Sequence, residues 1–404
     1  MTLPLSLLHP EVMQNPYPVY RHFRENDPLH FVPGRIPHYV LTRHPDVWNA
    51  LKHKDLSRDL RRSHWDEKNN DIPPEHLTYA RTVREWVVFK EAPEHRPLRA
   101  TFNRIVAASF GEGFRGWVRE VAKDVFSHLP TKPGSIIDLS KEYALMVTTR
   151  VVTDLLGISP LIDPLRLGII LSFMQKAISS AYDYDIFTQA SSDMEELEII
   201  IQKALDELTA DTMRADFLRA LAEEFQLGNL TPTQILPSAC FLLMASQDNA
   251  RSMITNGVYL LLSHGLWPAL RENPDLIPGA VRETIRMEPS LHMIARNATA
   301  DLEIAGQLVR EGEGIICCLA AANRDPSVFE NPDTFDWSRD TSKLLTFGNG
   351  IHRCPGEKMS SFIIQEALGV LLEAWPNPKL GPGEIEWTSS PSIRALPSLP
   401  IMAG

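Results

Sequence analysis

The stretch Phe347-Gly348-Asn349-Gly350-Ile351-His352-Arg353-Cys354-Pro355-Gly356 sets one cysteine in a glycine-rich turn. A helix-like segment, Lys358 to Ala374, follows at once. A thiolate at Cys354 would face the unpaired backbone N–H groups of that helix start, which stabilise negative charge. Gly348 and Gly350 permit a sharp turn and a close approach of backbone to a flat ligand.

The pattern F-G-x-G-x-H-x-C-x-G resembles the heme-binding loop of the cytochrome P450 family, and every fixed position is present. The resemblance implies that Cys354 is the axial ligand of the iron of heme b, pushing electron density into it. It makes Phe347, Gly356 and Ala245 cofactor contacts. It implies a fold that is mainly α with small β-sheets, the heme lying between a long central helix and the cysteine-loop helix. The activity it implies is that of a monooxygenase, which inserts one atom of O2 into a lipophilic organic substrate. Hydroxylation or epoxidation in secondary metabolism or catabolism is the expected outcome.

Working outward, the chain has 404 residues, a formal net charge of −11 and 44% hydrophobic content, enough for a sizeable core. No Gly/Ser linker, low-complexity run or repeat divides it, so residues 1–404 read as one domain. No basic stripe is present, which argues against nucleic acid as a partner. Cys317 and Cys318 sit in an apolar run and read as small core residues; with Cys240 and Cys354 they form no C-x-x-C pair, so a zinc site or disulfide framework is not expected. The N-terminus lacks the basic and apolar regions of a signal peptide, and the longest apolar candidate, Leu167 to Met174, is too short to span a membrane. A cytoplasmic protein with no membrane contact is expected.

Hydrophobic spacing predicts a helix over Pro16 to Arg24, paired strands at Leu29 to Phe31 and Tyr39 to Thr42, and a helix over Pro45 to Lys52. Residues 60 to 90 read as irregular. From Pro93 to about Pro289 nearly everything fits helical spacing, including a run from Thr231 to His264. Short strands follow near 302–304 and 314–319, and the tail 393–401 reads as strand and turn.

Glu283 and Arg286 lie at i, i+3 on one helix face. Their place before the Asn323-Arg324-Asp325-Pro326 loop is similar to the family's arrangement, in which such a pair locks to a third residue. Arg339 matches that slot, and the role implied is to brace the loop under the heme. Heme propionates need cationic partners, and the resemblance assigns these to His95, Arg99, Arg296 and His352. Leu344 departs from the family, many bacterial members having histidine there.

The central run departs most. Ala245, Ser246, Gln247, Asp248 and Asn249 occupy the slots of the family's oxygen-activating motif, with Ser246 for glycine and Asn249 for threonine. Water held by Asn249 and Ser246 and fed from Asp248 is the relay expected here, Asp248, Asn249 and Ser246 being the catalytic candidates. The pocket implied by family placement draws on Trp86, Val88, the segment 173–187, Leu242, Ala245, Asn249, 291–294 and Ile393, mostly apolar. His292 and Arg394 are weaker candidates for meeting a polar group, and 179–185 reads as a lid loop. No flavin or nicotinamide domain is recognised, so a ferredoxin or flavodoxin is the expected redox partner, with Arg96, Arg353 and Lys358 as docking residues. The altered relay leaves a peroxygenase or an oxidative coupling enzyme as rivals. A non-catalytic carrier-recruiting module would be expected to lose Cys354 or the propionate residues, which this chain keeps.

Overall fold

The computed structural model describes all residues except 1–5, 35, 60–72, 110, 112, 131, 180–182, 210–211 and 213, together with the side chain at 74. Its strands are β1 (Leu29–Val32), β2 (His38–Leu41), β3 (Leu56–Ser57), β4 (Ile136–Asp138), β5 (Met293–Ala298), β6 (Leu302–Ile304), β7 (Gln307–Val309), β8 (Gly314–Cys318), β9 (Lys379–Leu380) and β10 (Pro400–Met402). They form a sheet of order β1-β2-β8-β5-β3, a sheet of order β4-β10-β9 and a β6-β7 hairpin. In the largest sheet only β2 and β8 run parallel, Tyr39 facing Ile315 and Leu41 facing Cys317. Helices make the rest of the body, as expected.

The longest helix, Ile235–Ser263, has 29 residues and is about 43 Å long at 1.5 Å per residue. Its only proline, Pro237, lies in the first turn, where a missing N–H costs nothing. It ends in a turn that satisfies its last carbonyls, the Leu266 N–H reaching the Leu261 carbonyl at 2.8 Å. Two large hydrophobic cores share this helix. Leu242, Leu243 and Ala250 pack into one, with the 95–108, 184–206 and 216–226 helices; Met253, Ile254, Val258 and Leu261 pack into the other. The helix Glu357–Ala374 is shared in the same way, through Met359 and Ile363 and then Ile364, Ala367, Leu368 and Leu371. The cysteine loop is thereby set against the middle of the molecule.

Three expectations change. Residues 77–84 are a helix with Tyr79, Ala80, Thr82 and Val83 buried, although 60–90 reads as irregular from sequence. Thr82 hides the apolar spacing: it is buried because its hydroxyl donates to Glu198 at 2.5 Å. Within the span expected to be helical, 136–138 is strand β4, paired to the chain's C-terminal strand β10. Pro10–Gln14 adds an unexpected short helix. The 179–185 lid loop falls partly outside the described residues, as does the start of the 60–90 segment with Trp65.

Cys317 and Cys318 are fully buried, and burial pushes their thiols up to about 11 and about 12. His292 is 2% exposed, and its Nδ1 lies 3.0 Å from the Tyr20 hydroxyl. Burial, then the charges of Arg394 and Arg324, hold its imidazole well below the ordinary range. It is therefore neutral in the fold, while the unfolded chain takes up a proton below about pH 6.5. Unfolding binds protons in that window, so stability falls as pH drops through it. The urea midpoint should fall between pH 7.5 and 5.5, and His292→Gln should flatten that slope.

Candidate active site

The cysteine loop is a tight hydrogen-bonded turn. The Cys354 N–H donates to the Phe347 carbonyl and the Gly348 N–H to the Leu345 carbonyl, each at 2.8 Å. Gly350 has φ +74°, and a Cβ there would stand 2.9 Å from the Leu51 carbonyl oxygen. No L side chain fits, because both backbone conformation and space exclude it. The helix Glu357–Ala374 begins directly after Gly356.

Cys354 is exposed, yet desolvation by surrounding protein raises its thiol pKa; the Gly356 N–H, Arg99 and Arg353 act in the opposite direction. The residue is open to solvent while the protein around its sulfur desolvates it. The helix start alone does not make it a thiolate, contrary to the simplest reading of the sequence. A coordinating metal does so outright.

Beside the cysteine loop is a cluster of histidines and arginines. His95 is 5% exposed, and its ring meets that of His352 edge-on at 4.6 Å. Among the described residues, Nε2 of His95 and Nδ1 of His352 are buried without a hydrogen-bond partner. Desolvation, then His352 and Arg99, pull the His95 imidazole down to about 4. Arg296 is 2% exposed, and among the described residues its guanidinium donates only to the neighbouring Ala295 carbonyl. Arg99 donates to the Arg353 carbonyl.

Two further members are absent from the sequence reading. Arg58 follows β3, with its guanidinium 5.3 Å over the Phe89 ring. Burial and then repulsion from Arg296 lower it to about 9, so it stays cationic at neutral pH. Glu91 Oε1 accepts from the Arg58 N–H at 2.8 Å and the Ser57 hydroxyl at 3.1 Å. It stands 3.5 Å from His352 Nε2, a charge contact too long for a good hydrogen bond. Desolvation would raise the Glu91 carboxyl, but His352 and the Arg58 N–H outweigh it and hold it at about 2. Among the described residues, Arg58, Arg99 and Arg296 are set against this one carboxylate, a surplus of two positive charges. Two surplus charges and unpartnered imidazole nitrogens beside a desolvated thiol suit a dianionic ligand whose metal the sulfur reaches. Heme b, with two propionates, is such a ligand.

The central helix presents Ala245 and Asn249 one turn apart on one face. Asn249 is exposed although Gln247 and Ala250 beside it are buried, so its side chain meets open space rather than packed protein. The expected relay residues do not touch one another. Asp248 pairs with Arg251 at 3.0 Å, and Asn249 Oδ1 accepts from the Ser290 hydroxyl at 2.8 Å. Ser246 is half-buried in the preceding turn.

Glu283, Arg286 and Arg339 do converge. Glu283 accepts from Arg286 at 2.7 and 2.8 Å and from Arg339 Nε at 3.0 Å, with Glu283 and Arg286 fully buried. Arg286 also donates to the Asn323 carbonyl. Asn323 in turn accepts from the Leu345 N–H and donates to Thr346, so the network reaches the cysteine loop. Gly279 makes room for it: a Cβ there would lie 2.1 Å from the Trp337 carbonyl oxygen. Leu344 is half-buried against the second core. His292 is buried against Tyr20, and Arg394 binds Glu288 and the carbonyls of Met13 and Gln14.

The model of the family described as Cytochrome P450 matches residues 269–376, which hold Glu283, Arg286, Arg339 and the cysteine loop. The chain is 32% identical to cytochrome P450 105A3 of Streptomyces carbophilus, over 81% of this chain and 74% of the relative. It is 28% identical to a biotin biosynthesis cytochrome P450 of Bacillus subtilis, over 99% of each. Its fold superposes with a TM-score of 0.85, at 25% identity and over 98% of this chain and 100% of the other, on P450BioI in complex with an acyl carrier protein bearing hexadec-9Z-enoic acid. Likeness to cytochrome P450 proteins along most of its length, with the family model spanning the cysteine loop, means that the chain belongs to the cytochrome P450 family and is a monooxygenase with heme b as its cofactor.

Proposed function

We propose that this monooxygenase oxidises a lipophilic organic substrate, by hydroxylation or epoxidation, with electrons from a separate ferredoxin or flavodoxin. The observation that carries the substrate class is the wall beside Asn249. Ser290 touches Asn249, Leu291 follows it, and Leu291 bridges to Ile393. Leu291, Ile393 and Ala245 are its apolar groups. Arg394, next to Ile393 in the chain, is engaged by Glu288 and two carbonyls. The long-chain acyl group named with the P450BioI complex agrees with a lipophilic class.

In this reading Cys354 ligates the iron, with Phe347, Gly356 and Ala245 against the ring. His95, Arg99, Arg296 and His352 hold the propionates, and Arg58 joins them. Heme b supplies the activation of O2 when bound. The chain excludes bulk water, orients the substrate on the apolar wall and delivers protons. Asn249 Nδ2 and the Ser246 hydroxyl hold the water, and Asp248, fixed by Arg251, is the acidic end of the path. Asp248 and Asn249 point to different sides of the helix, so water must join them.

Arg58→Leu should speed transfer of heme to an acceptor apoprotein about tenfold or more. A charge-assisted hydrogen bond contributes about 1.5–3 kcal/mol, and about 1.4 kcal/mol is a factor of ten. Unchanged heme retention would remove Arg58 from the propionate site. Docking of the redox partner is placed on Arg96, Arg353 and Lys358 beside the thiolate side. Arg353 is held to Glu357 at 2.7 Å, which makes Arg96 the more available charge.

The test of the substrate class is a titration of the ferric protein with fatty acids, terpenoids, steroids, macrolides and small aromatics, following the Soret band. A low-to-high-spin shift with one apolar class supports the reading. A shift confined to charged or strongly polar ligands overturns it. Turnover with O2 and reductant, compared with turnover driven by peroxide, separates the monooxygenase route from the peroxygenase route that the altered relay keeps open.

A further inference from the structure

We propose that Ser290 is a positioning residue of the proton relay: its hydroxyl holds the Asn249 amide in the one orientation that the Ala245 carbonyl selects. This rests on the reading of Asn249 as the residue that holds the relay water.

An asparagine amide has an accepting end and a donating end, and rotation by half a turn about its terminal torsion exchanges them. A relay needs one end held in place. Two contacts decide it here. Asn249 Nδ2 lies 3.4 Å from the Ala245 carbonyl oxygen. A carbonyl can only accept, so the amino end belongs on that side. Asn249 Oδ1 lies 2.8 Å from Ser290 Oγ, which donates to it. A hydroxyl can accept as well as donate, so the acceptor-only Ala245 carbonyl selects the end, while the shorter Ser290 bond supplies the strength that holds the amide there. Nδ2 keeps a second N–H, and Asn249 is exposed.

Ser290 is itself held firmly. It is 4% exposed. Its N–H meets Met253 Sδ at 3.2 Å, and its carbonyl accepts from the Arg394 N–H at 2.8 Å. Arg394 is anchored in turn by Glu288 at 3.0 Å. The hydroxyl that the central helix lacks at position 249 is thus supplied from the segment between the helix Ile277–Met287 and β5. Its proton is committed to Oδ1, so Ser290 orients the amide and does not itself pass a proton.

The test uses carbon monoxide bound to the reduced, heme-loaded protein, because the C–O stretch reports a hydrogen-bond donor facing the bound gas. Asn249→Leu should raise the frequency by removing the donor. Ser290→Ala should give two bands, one at the wild-type position and one at the N249L position. Ser290→Thr, which restores the hydroxyl, should give back the single wild-type band. The fraction of reductant diverted to peroxide should rise in S290A and return in S290T. A merely structural role for Ser290 would lower the unfolding midpoint without splitting the band. A single unshifted band in S290A, with N249L shifted, overturns the proposal while leaving the relay reading intact. No shift in N249L overturns both. If S290A fails to load heme, Ser290→Cys takes its place: a thiol donor too weak to hold the amide should show both bands, and a single wild-type band in it overturns the proposal.

Discussion

Glu283→Ala is expected to cost about 3–5 kcal/mol of folding free energy, the range for breaking a buried ion pair by removing one partner. The total stability of a native protein is only about 5–15 kcal/mol, so the variant should unfold at a much lower urea concentration. The cost does not come mainly from the lost attraction. It comes from Arg286, which is fully buried and would be left without a carboxylate. Arg339 and the Asp336 N–H lose the same acceptor. Heme retention should fall as well, because Arg286 holds the Asn323 carbonyl and Asn323 holds the Leu345 N–H at the base of the cysteine loop. Glu283→Gln keeps an oxygen for part of this set and should lie between wild type and alanine. A loss below about 1 kcal/mol, the range of an exposed pair, would show that the network does not brace the loop.

Cys354→Ser is expected to abolish turnover while leaving the polypeptide folded. The backbone bond that closes the turn runs from the Cys354 N–H to the Phe347 carbonyl, and serine keeps it. What changes is the ligand. A serine hydroxyl does not ionise near neutral pH and lacks the soft, electron-donating sulfur. The carbon monoxide adduct of the reduced variant should lose the Soret shift characteristic of thiolate ligation. The urea midpoint of the heme-free chain should hardly move, since the side chains are nearly isosteric. A retained thiolate spectrum would mean that another group ligates the iron. Cys240, Cys317 and Cys318, all buried, are the remaining thiols.

The parts of this molecule legible in its sequence are those in which cause and effect lie close together along the chain. The cysteine loop is one, because Gly350, Cys354 and the helix start sit within a few residues. Glu283 and Arg286 are another, one helical turn apart. Arg58, Glu91 and Ser290 were not legible. Each looks like an ordinary surface residue in its own segment, and each gains its meaning from a partner on a distant one: Arg296 for Arg58, His352 for Glu91, Asn249 for Ser290. Arg394 and His292 err in the other direction. They lie beside the pocket in sequence order, but Glu288 and Tyr20 hold them in the wall. Asp248 belongs to both groups: its place in the motif is visible, and its partner Arg251 shows only in the structure.

The surplus of two positive charges beside the cysteine loop has a consequence for how the protein comes into being. A newly made chain that closes this region brings like charges together before their counterions arrive. The heme is then a component of folding as much as a tool of catalysis, since a ligand that binds only the folded form stabilises it by mass action. Cells short of heme would accumulate a chain that breathes open around 91–99 and 350–354, and small dianions such as phosphate would partly quiet it. Supply of the cofactor, and not only supply of the messenger, would set how much of this protein survives proteolysis.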